Sequence, residues 1–520
     1  MENGRIRKLH ANKLRPFQAR VDTLGVIFED DVDMGDVEVC ELNSSDDLEP
    51  IDERLHKLDL SHLERNQQIQ LRRLLQKHKD VFSDKPGQCN IGCHEIRLVE
   101  GAIPRRLRPY RIPQKLKDEV DKQISDMLAA GIIQESNSPW AHPIVCVAKP
   151  DGSTRLAVDM RLVNSYTVPD AYPIPRTDEL LRKIGKARFI SSLDCTSGFH
   201  QILLDKAASD YTAFITDRGL YSWLRMPFGL KNSSSTFQRI MDRILRPFYL
   251  FANAYIDDVC VYSMGWEEHL AHLDQVLSAL GQAGLTLRLS KCRFAHPQIK
   301  YVGHFIGSGK MSSQQDKLEA IKKINMPSTK KALRTWLGLT SYYQMYIRDY
   351  ANTAHPLYAM LKNNMPTKLL ITDVEIKAFE KLKEELCNGR ILHTPCYDKG
   401  FVIQTDASDF AVGACLLQMC DERECPIMFA SSTLSPTQAR WSIVEREAYA
   451  IIFALKKFDS IIFGCDVTVL TDHNPLKYLA ECAPTSGKLT RWALALQRYS
   501  VKIEHRAGIC NSNCDALSRL

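Results

Sequence analysis

At 520 residues, with 44% hydrophobic and 25% charged residues and only 25 Gly and 23 Pro, the chain has a globular balance and room for about three or four domains of roughly 150 residues, which excludes collagen-like, coiled-coil and wholly disordered classes. No stretch approaches the roughly 18 consecutive apolar residues that cross a bilayer, and Met1 leads into Arg5, Arg7 and Lys8 with no apolar signal core, so membrane and secretory classes fall away as well. The net charge of +6 hides a division: Glu29 to Glu53 holds twelve acidic residues and no Lys or Arg, so the rest of the chain carries +18, a balance suited to a polyanionic partner.

The first fifty-odd residues lack hydrophobic periodicity and read as a linker or the remnant of a preceding region. From about Leu60 the pattern turns helical, and Leu116, Val120, Ile124, Met127 and Leu128 fall on one face of a helix that Gly131 should stop. Pro143–Val147 and Arg155–Asp159 read as a hairpin around the turn Pro150-Asp151-Gly152, which Lys149 and Arg155 flank. Arg188–Leu193 reads as a buried strand that delivers Asp194 at its end. Phe251–Ile256 and Val259–Tyr262 read as two apolar strands separated by Asp257-Asp258, and adjacent carboxylates at a hairpin tip repel each other. A helix carrying Leu270, Leu273, Leu277 and Leu280 follows, then a mostly helical region from about Gln314 to Lys362 with aromatics at Trp336, Tyr342, Tyr343 and Tyr346. The rhythm then changes: a strand ending at Asp406, a strand over Ala411–Leu417, a helix from about Pro436 to Phe458 and a strand ending at Asp472 predict a compact mixed α/β unit. The sixteen cysteines are scattered apart from Cys89/Cys93 and Cys510/Cys514, and neither pair has a second Cys/His pair at zinc-finger distance, so they read as reduced thiols.

Phosphoryl transfer to a 3′-hydroxyl needs two divalent cations about 3.5–4 Å apart, and hard Mg2+ prefers carboxylate oxygens held on rigid strand ends. Asp194, Asp257 and Asp258 offer that set. A single strand-end Asp is more often a turn or cap residue, and Tyr-Ile-Asp-Asp alone is a weak signal, so context carries the reading. The context is an ordered run: Ser136-Asn137-Ser138-Pro139-Trp140-Ala141, Lys149-Pro150-Asp151-Gly152-Ser153 with Arg155, Leu193-Asp194-Cys195-Thr196-Ser197-Gly198-Phe199-His200-Gln201-Ile202, Met226-Pro227-Phe228-Gly229-Leu230-Lys231-Asn232, Thr236-Phe237-Gln238-Arg239 and Tyr255-Ile256-Asp257-Asp258. By these motifs the sequence resembles, from about Leu60 to Leu520, the pol polyprotein of gypsy-like long-terminal-repeat retrotransposons, whose reverse transcriptases are related to those of retroviruses.

The resemblance implies an α+β multidomain chain, a right-hand polymerase with fingers, palm and thumb followed by an α/β ribonuclease H-like domain. It divides the chain into an acidic linker or remnant over 1–58, fingers and palm over 59–285, thumb and connection over 286–372 and the ribonuclease H-like domain over 373–520. It makes Asp194, Asp257 and Asp258 the metal-binding triad of the palm, with Mg2+ or Mn2+ as cofactor and two ions in each active site. Lys149 and Arg155 match residues that hold the triphosphate of the incoming dNTP. Phe199 matches an aromatic under the sugar that would clash with a ribose 2′-OH, and Phe228 is a further nucleotide-binding position. Lys291 matches a lysine proposed as proton donor to the pyrophosphate leaving group. Tyr301-Val302-Gly303-His304 resembles a primer-contacting turn, and Leu333 to Tyr346 the helical thumb, where aromatics at helical spacing are core residues more often than nucleic-acid platforms. Two departures stand out: Thr154 replaces a frequent aromatic, and Asn232-Ser233-Ser234-Ser235 a commoner Asn-Ala-Pro-Ala run. Neither removes a metal ligand.

Thr405-Asp406-Ala407-Ser408, Glu445-Arg446-Glu447-Ala448, Thr471-Asp472-His473 and Asn513-Cys514-Asp515 resemble the four catalytic blocks of the family's ribonuclease H. Asp406, Glu447, Asp472 and Asp515 are the matching ligands of a second two-metal site that cleaves a phosphodiester with water. Glu447 is preferred to Glu445 because it precedes the apolar face Ala450, Ile451, Ala454 and Leu455 at the spacing the resemblance requires, and Glu445 is expected in solvent. His505, ten residues before Asp515 and beside Arg506, matches a mobile histidine that assists product departure. The chain ends five residues after Asp515 whereas relatives continue, so the nuclease site is expected to hold metal more weakly than the polymerase site.

The family polyprotein also carries an aspartic protease with Asp-Thr-Gly and an integrase with His/Cys zinc ligands; Asp22-Thr23-Leu24 is not the former, and no match to the latter is found in the sequence. The leading expectation is an RNA-directed DNA polymerase with ribonuclease H activity. Its implied partners are an RNA and DNA primer-template, an RNA-DNA hybrid and dNTPs, with no membrane, together with retroelement protease, integrase and capsid proteins, in the cytoplasm or within retroelement particles. The alternatives are a catalytically silent relic that only binds primer-template, and a DNA-templated polymerase, which the ribonuclease-like domain disfavours. Retention of all seven carboxylates favours the enzyme.

Overall fold

The apolar runs on either side of the paired aspartates form the middle of a four-stranded antiparallel sheet in a computed structural model, which describes residues 49–148, 154–314, 319, 321–362, 369–420, 423–471 and 487–505. The strand order is Arg293–His296, Phe189–Asp194, Asp258–Ser263, Ala252–Tyr255. Ile190, Leu193, Val259, Cys260 and Val261 are fully buried in it, as a β-branched, apolar run on the interior of a sheet requires. Helices Ser233–Leu245 and Trp266–Gln282 pack Phe237, Met241, Leu273, Val276, Leu277 and Leu280 into one core with Leu193, Val259 and Val261.

The expected fingers hairpin is present, with His142–Ala148 paired to Thr154–Val158 at the edge of a five-stranded sheet. Its turn, with Lys149, lies outside the described residues. The helix predicted near Leu116 is Lys117–Ala129, led in by a tight turn over Gln114–Leu116 and stopped where Gly131 takes φ +62°.

Helices Lys330–Tyr342, Tyr350–Ala359 and Asp373–Cys387 bury Trp336, Leu337, Leu357, Phe379 and Leu382 together. That core also takes in Leu180, Ile190 and Cys260, the last two from the four-stranded sheet, and Cys415, Leu417 and Phe429 from the last sheet, so the helical region shares buried surface with both of its neighbours.

The last sheet runs Arg423–Thr433, Ala411–Cys420, Phe401–Ala407, Asp466–Thr471, Ser500–His505, antiparallel across the first three strands and parallel across the last three. Helix Ile443–Ile462 covers it with Ile451, Ala454, Leu455 and Phe458. Periodicity predicts a helix start near Pro436; the helix begins instead after Ser442, whose hydroxyl accepts the Glu445 N–H while Glu445 accepts the Ser442 N–H. A capping box satisfies two otherwise orphan donors, which outweighs one more turn of weak periodicity.

Candidate active sites

A two-residue turn, Ile256-Asp257, links the palm strands, so Asp258 is the first residue of its strand, whereas the sequence suggested that both aspartates form the tip. The ladder sets Asp258 directly opposite Asp194, the last residue of the neighbouring strand. Directly paired residues have Cβ atoms about 5 Å apart, so backbone register alone brings these two carboxyls together. Asp257 faces the loop after Asp194: a Cβ added to Gly198 would stand 3.2 Å from the Asp257 Cβ and 3.2 Å from the Phe237 ring, so any side chain there would push its neighbours aside by a few tenths of an ångström. The three carboxyls surround buried Cys195, whose thiol is pushed well up by burial first and then by the charges of Asp257, Asp194 and Asp258.

Lys291 Nζ lies 3.9 Å from Asp194 Oδ2, so the structure brings that lysine to the carboxylates. Phe199 is half-buried, its ring centroid 4.9 Å from Phe228 and 5.7 Å from Phe237, which sets both expected nucleotide-side aromatics beside the same loop. Arg155 is paired through its backbone with Val147 in the fingers hairpin; its side chain, like all of Lys149, lies outside the described residues.

The Ile256-Asp257 turn carries strain. Ile256 has φ +57°, a left-handed conformation that disfavours a β-branched residue by about 1–3 kcal/mol. Gln238 restrains it: Oε1 accepts the Ile256 N–H at 2.7 Å, and Nε2 donates to the Ala254 carbonyl at 3.1 Å and to Asp242 Oδ1 at 2.9 Å. Gln238 is fully buried on helix Ser233–Leu245. Its motif was visible in the sequence but its role was not; the available signal was an amide among Phe237, Ile240 and Met241, a position where a polar group must find partners.

Three carboxylates at strand ends are oxygen donors of the kind a hard divalent cation prefers. Among the described residues no three acidic, His or Cys side chains converge tightly enough to grip an ion as they stand, so strand register rather than present rotamer assembles this set.

In the last domain Asp406 lies near the end of the central strand, and Glu447 Oε1 accepts the N–H of Ala407, the next residue, at 3.2 Å. Glu447 is 2% exposed. Buried Arg446 donates to the Ser408 carbonyl at 3.0 Å and to Asp409 Oδ1 at 2.6 Å, fastening the helix start to the strand end. Glu445 is not in solvent as expected: it is half-buried, closes the capping box with Ser442 and pairs with Lys488 at 2.5 Å. Asp472 and Asp515 lie outside the described residues. The backbone of His505 is paired with Thr471, next to Asp472 in sequence, and its side chain is outside the described residues.

Sequence reasoning also missed Asp349, at φ +53° the residue before helix Tyr350–Ala359. Its carboxyl is pushed up to about 7, chiefly by burial, with the charge of Asp406 adding to the rise and Asn352 and Lys381 opposing it. The same helix start is docked on the last sheet, where the Ser408 hydroxyl donates to Asn352 Oδ1 at 3.2 Å and the Ala351 N–H donates to Ser431 Oγ at 2.8 Å.

Two family models match this chain: reverse transcriptase (RNA-dependent DNA polymerase) over residues 147–306, and the RNase H-like domain found in reverse transcriptase over residues 396–499. The chain is 37% identical over 483 residues to the retrovirus-related Pol polyprotein from transposon 297 of Drosophila melanogaster, an alignment covering 90% of this chain and 45% of that one. It is 33% identical over 442 residues to the corresponding polyprotein from transposon gypsy of the same organism, covering 82% and 42%. The chain thus spans less than half the length of these curated relatives. Among solved structures it is similar to a foamy viral protease-reverse transcriptase in complex with double-stranded DNA (TM-score 0.77, 22% identity, 88% of this chain and 81% of that one) and to one in complex with RNA/DNA hybrid (TM-score 0.73, 21% identity, 90% and 63%). The likeness establishes the fold: a right-hand polymerase joined to an RNase H-like domain.

Proposed function

A chain that joins a reverse-transcriptase domain to an RNase H-like domain belongs with the polymerase–nuclease part of the gypsy-like Pol polyproteins, and we propose that it is an RNA-directed DNA polymerase with ribonuclease H activity, using Mg2+ or Mn2+ and two ions in each site. The observation that carries this reading is the register that sets Asp258 opposite Asp194 with Asp257 in the adjoining turn.

Divalent cations bound there would stabilise the charge that develops as a primer 3′-hydroxyl displaces pyrophosphate. Asp194, Asp257 and Asp258 would hold those cations. Lys291, beside Asp194, would hand a proton to the departing pyrophosphate. Phe199 would lie under the sugar and disfavour a 2′-OH, with Phe228 packed against it, while Lys149 and Arg155 would meet the triphosphate. In the second site Asp406, Glu447, Asp472 and Asp515 would hold the cations for hydrolysis of the RNA strand of a hybrid, with His505 aiding product departure. The +18 balance outside the acidic run suits an RNA or DNA primer-template held through its phosphates in a salt-sensitive, sequence-independent way. Retroelement protease, integrase and capsid proteins are the proposed partners in the particle.

Primer extension on poly(rA)–oligo(dT) with Mg2+ or Mn2+ tests the reading. The wild type should extend the primer, and Asp257→Asn with Asp258→Asn should lower extension by at least about a thousandfold while leaving hybrid binding intact. If neither protein extends the primer although both bind hybrid, the silent binding relic becomes the better account.

A further inference from the structure

Strand Ile299–Tyr301 returns as His304–Gly307 through a turn of only two residues, Val302-Gly303, because Tyr301 pairs directly with His304. Both turn residues are left-handed, Val302 at φ +41° and Gly303 at φ +77°. These are the φ signs of the mirror-image hairpin turn, whose preferred first residue is Asn, Asp or Gly; a β-branched valine there is strained. Something outside the hairpin has to hold it.

The holding groups are tyrosines at the end of the thumb helix. The Tyr342 hydroxyl donates to the Val302 carbonyl at 2.7 Å, and the Tyr343 hydroxyl donates to the Gly303 carbonyl at 3.0 Å. The Tyr346 hydroxyl meets His304 Nδ1 at 2.7 Å. The rings also close over the turn, since a Cβ on Gly303 would lie 3.3 Å from the Tyr342 hydroxyl oxygen and 3.4 Å from that of Tyr343. On the palm side, buried Tyr301 donates its hydroxyl to the carbonyl of Asp258 at 3.2 Å. Two successive carbonyls of a strained turn are thus held by two successive thumb residues, and the strand entering that turn is bonded to the main chain of a predicted metal ligand.

We propose that Tyr342 and Tyr343 are positioning residues for polymerisation: their hydroxyls keep the Val302-Gly303 turn in its strained form, and through Tyr301 and the Asp258 main chain the thumb sets where a primer end lies relative to the carboxylates. The inference rests on the polymerase reading above and adds to it a job for side chains whose helical spacing suggested packing alone. Packing needs the rings; positioning needs the hydroxyls.

The test compares the full chain with its Tyr342→Phe, Tyr343→Phe double variant, which keeps both rings. Single-nucleotide extension on poly(rA)–oligo(dT) should lose about tenfold or more in kcat, since each hydroxyl bond to a carbonyl contributes roughly a factor of five. KM for the nucleotide, primer-template affinity, hybrid cleavage and the melting curve should stay within about twofold or a degree or two of wild type. Adding Val302→Gly, which removes the strain, should restore about threefold or more of the lost rate. Should the double variant melt early, Tyr343→Phe alone is read by the same split. A wild-type kcat in a variant with an unchanged melting curve overturns the inference, as does a loss confined to primer-template affinity. A wild type that extends no primer sinks the polymerase reading, and this inference with it; extension by the wild type with no effect of the hydroxyls sinks this inference alone.

Discussion

In the palm, Asp257 and Asp258 are sequence neighbours and Asp194 is a direct ladder partner, whereas in the last domain Glu447 comes to the strand of Asp406 through the packing of a helix on a sheet and its bond to the Ala407 N–H. The first cluster is assembled by hydrogen-bond register, which fixes positions to within one strand spacing. The second depends on side-chain packing and on contacts such as those of Arg446 with Ser408 and Asp409. It also leans on the thumb, through Asn352, Ala351 and Asp349. Strained turns mark the first cluster and interdomain contacts the second.

The two clusters should therefore be separable. Asp406→Asn should lower cleavage of the RNA in an RNA-DNA hybrid by about a thousandfold or more, with primer extension within about twofold of wild type. Equal loss of both activities, in a protein that melts normally, would show that the clusters do not act independently.

Strain in the palm offers a second cut. Gln238→Leu keeps the bulk but leaves the Ile256 N–H and the Ala254 carbonyl without the amide that bonds them. Loss of such bonds at a strained turn should lower extension by about 10- to 100-fold. Hybrid cleavage should be unchanged, because nothing of the nuclease cluster touches this turn in the contacts described. Wild-type extension by this variant would mean that the ladder alone holds Asp257 and Asp258 in place.

Local signals were legible in advance. The order of motifs located both catalytic units, and Gly131, with its left-handed φ, stopped its helix as expected. The sequence expected Glu445 in solvent, whereas it serves as a helix cap and a partner of Lys488, and Glu447 is the buried one of the two. What stayed hidden depends on tertiary geometry. Gln238 reads as any helical glutamine until the turn it bonds is placed against it, and Tyr342 and Tyr343 read as core until their hydroxyls meet two carbonyls. Asp349 is the extreme case, because an Asp before a helix is so common that only its tertiary surroundings, the Asp406 charge among them, make it unusual.

Asp349 also supplies the smallest and most specific prediction about the nuclease unit's reliance on the thumb. Its carboxyl titrates near 7 in the folded chain against an ordinary value of 3.8, with burial the main cause, the Asp406 charge adding and Asn352 and Lys381 opposing. The folded state therefore holds a proton that the unfolded chain has released between those two values, and stability from this group is fully present below about 3.8 and lost as pH rises through about 7. Above that range the folded protein carries a half-buried carboxylate near the Asp406 charge. Asp349→Asn keeps a residue that tolerates the left-handed φ and can cap the helix, while removing the charge. The variant should melt about 2–4 °C higher than wild type at pH 8, with a clearly smaller gain at pH 5. Differential scanning fluorimetry across that range reads the difference directly. A gain of the same size at both pH values would assign the effect to packing rather than to the Asp349 charge, leaving the boundary between thumb and nuclease to the Asn352 and Ala351 bonds and the apolar core the two share.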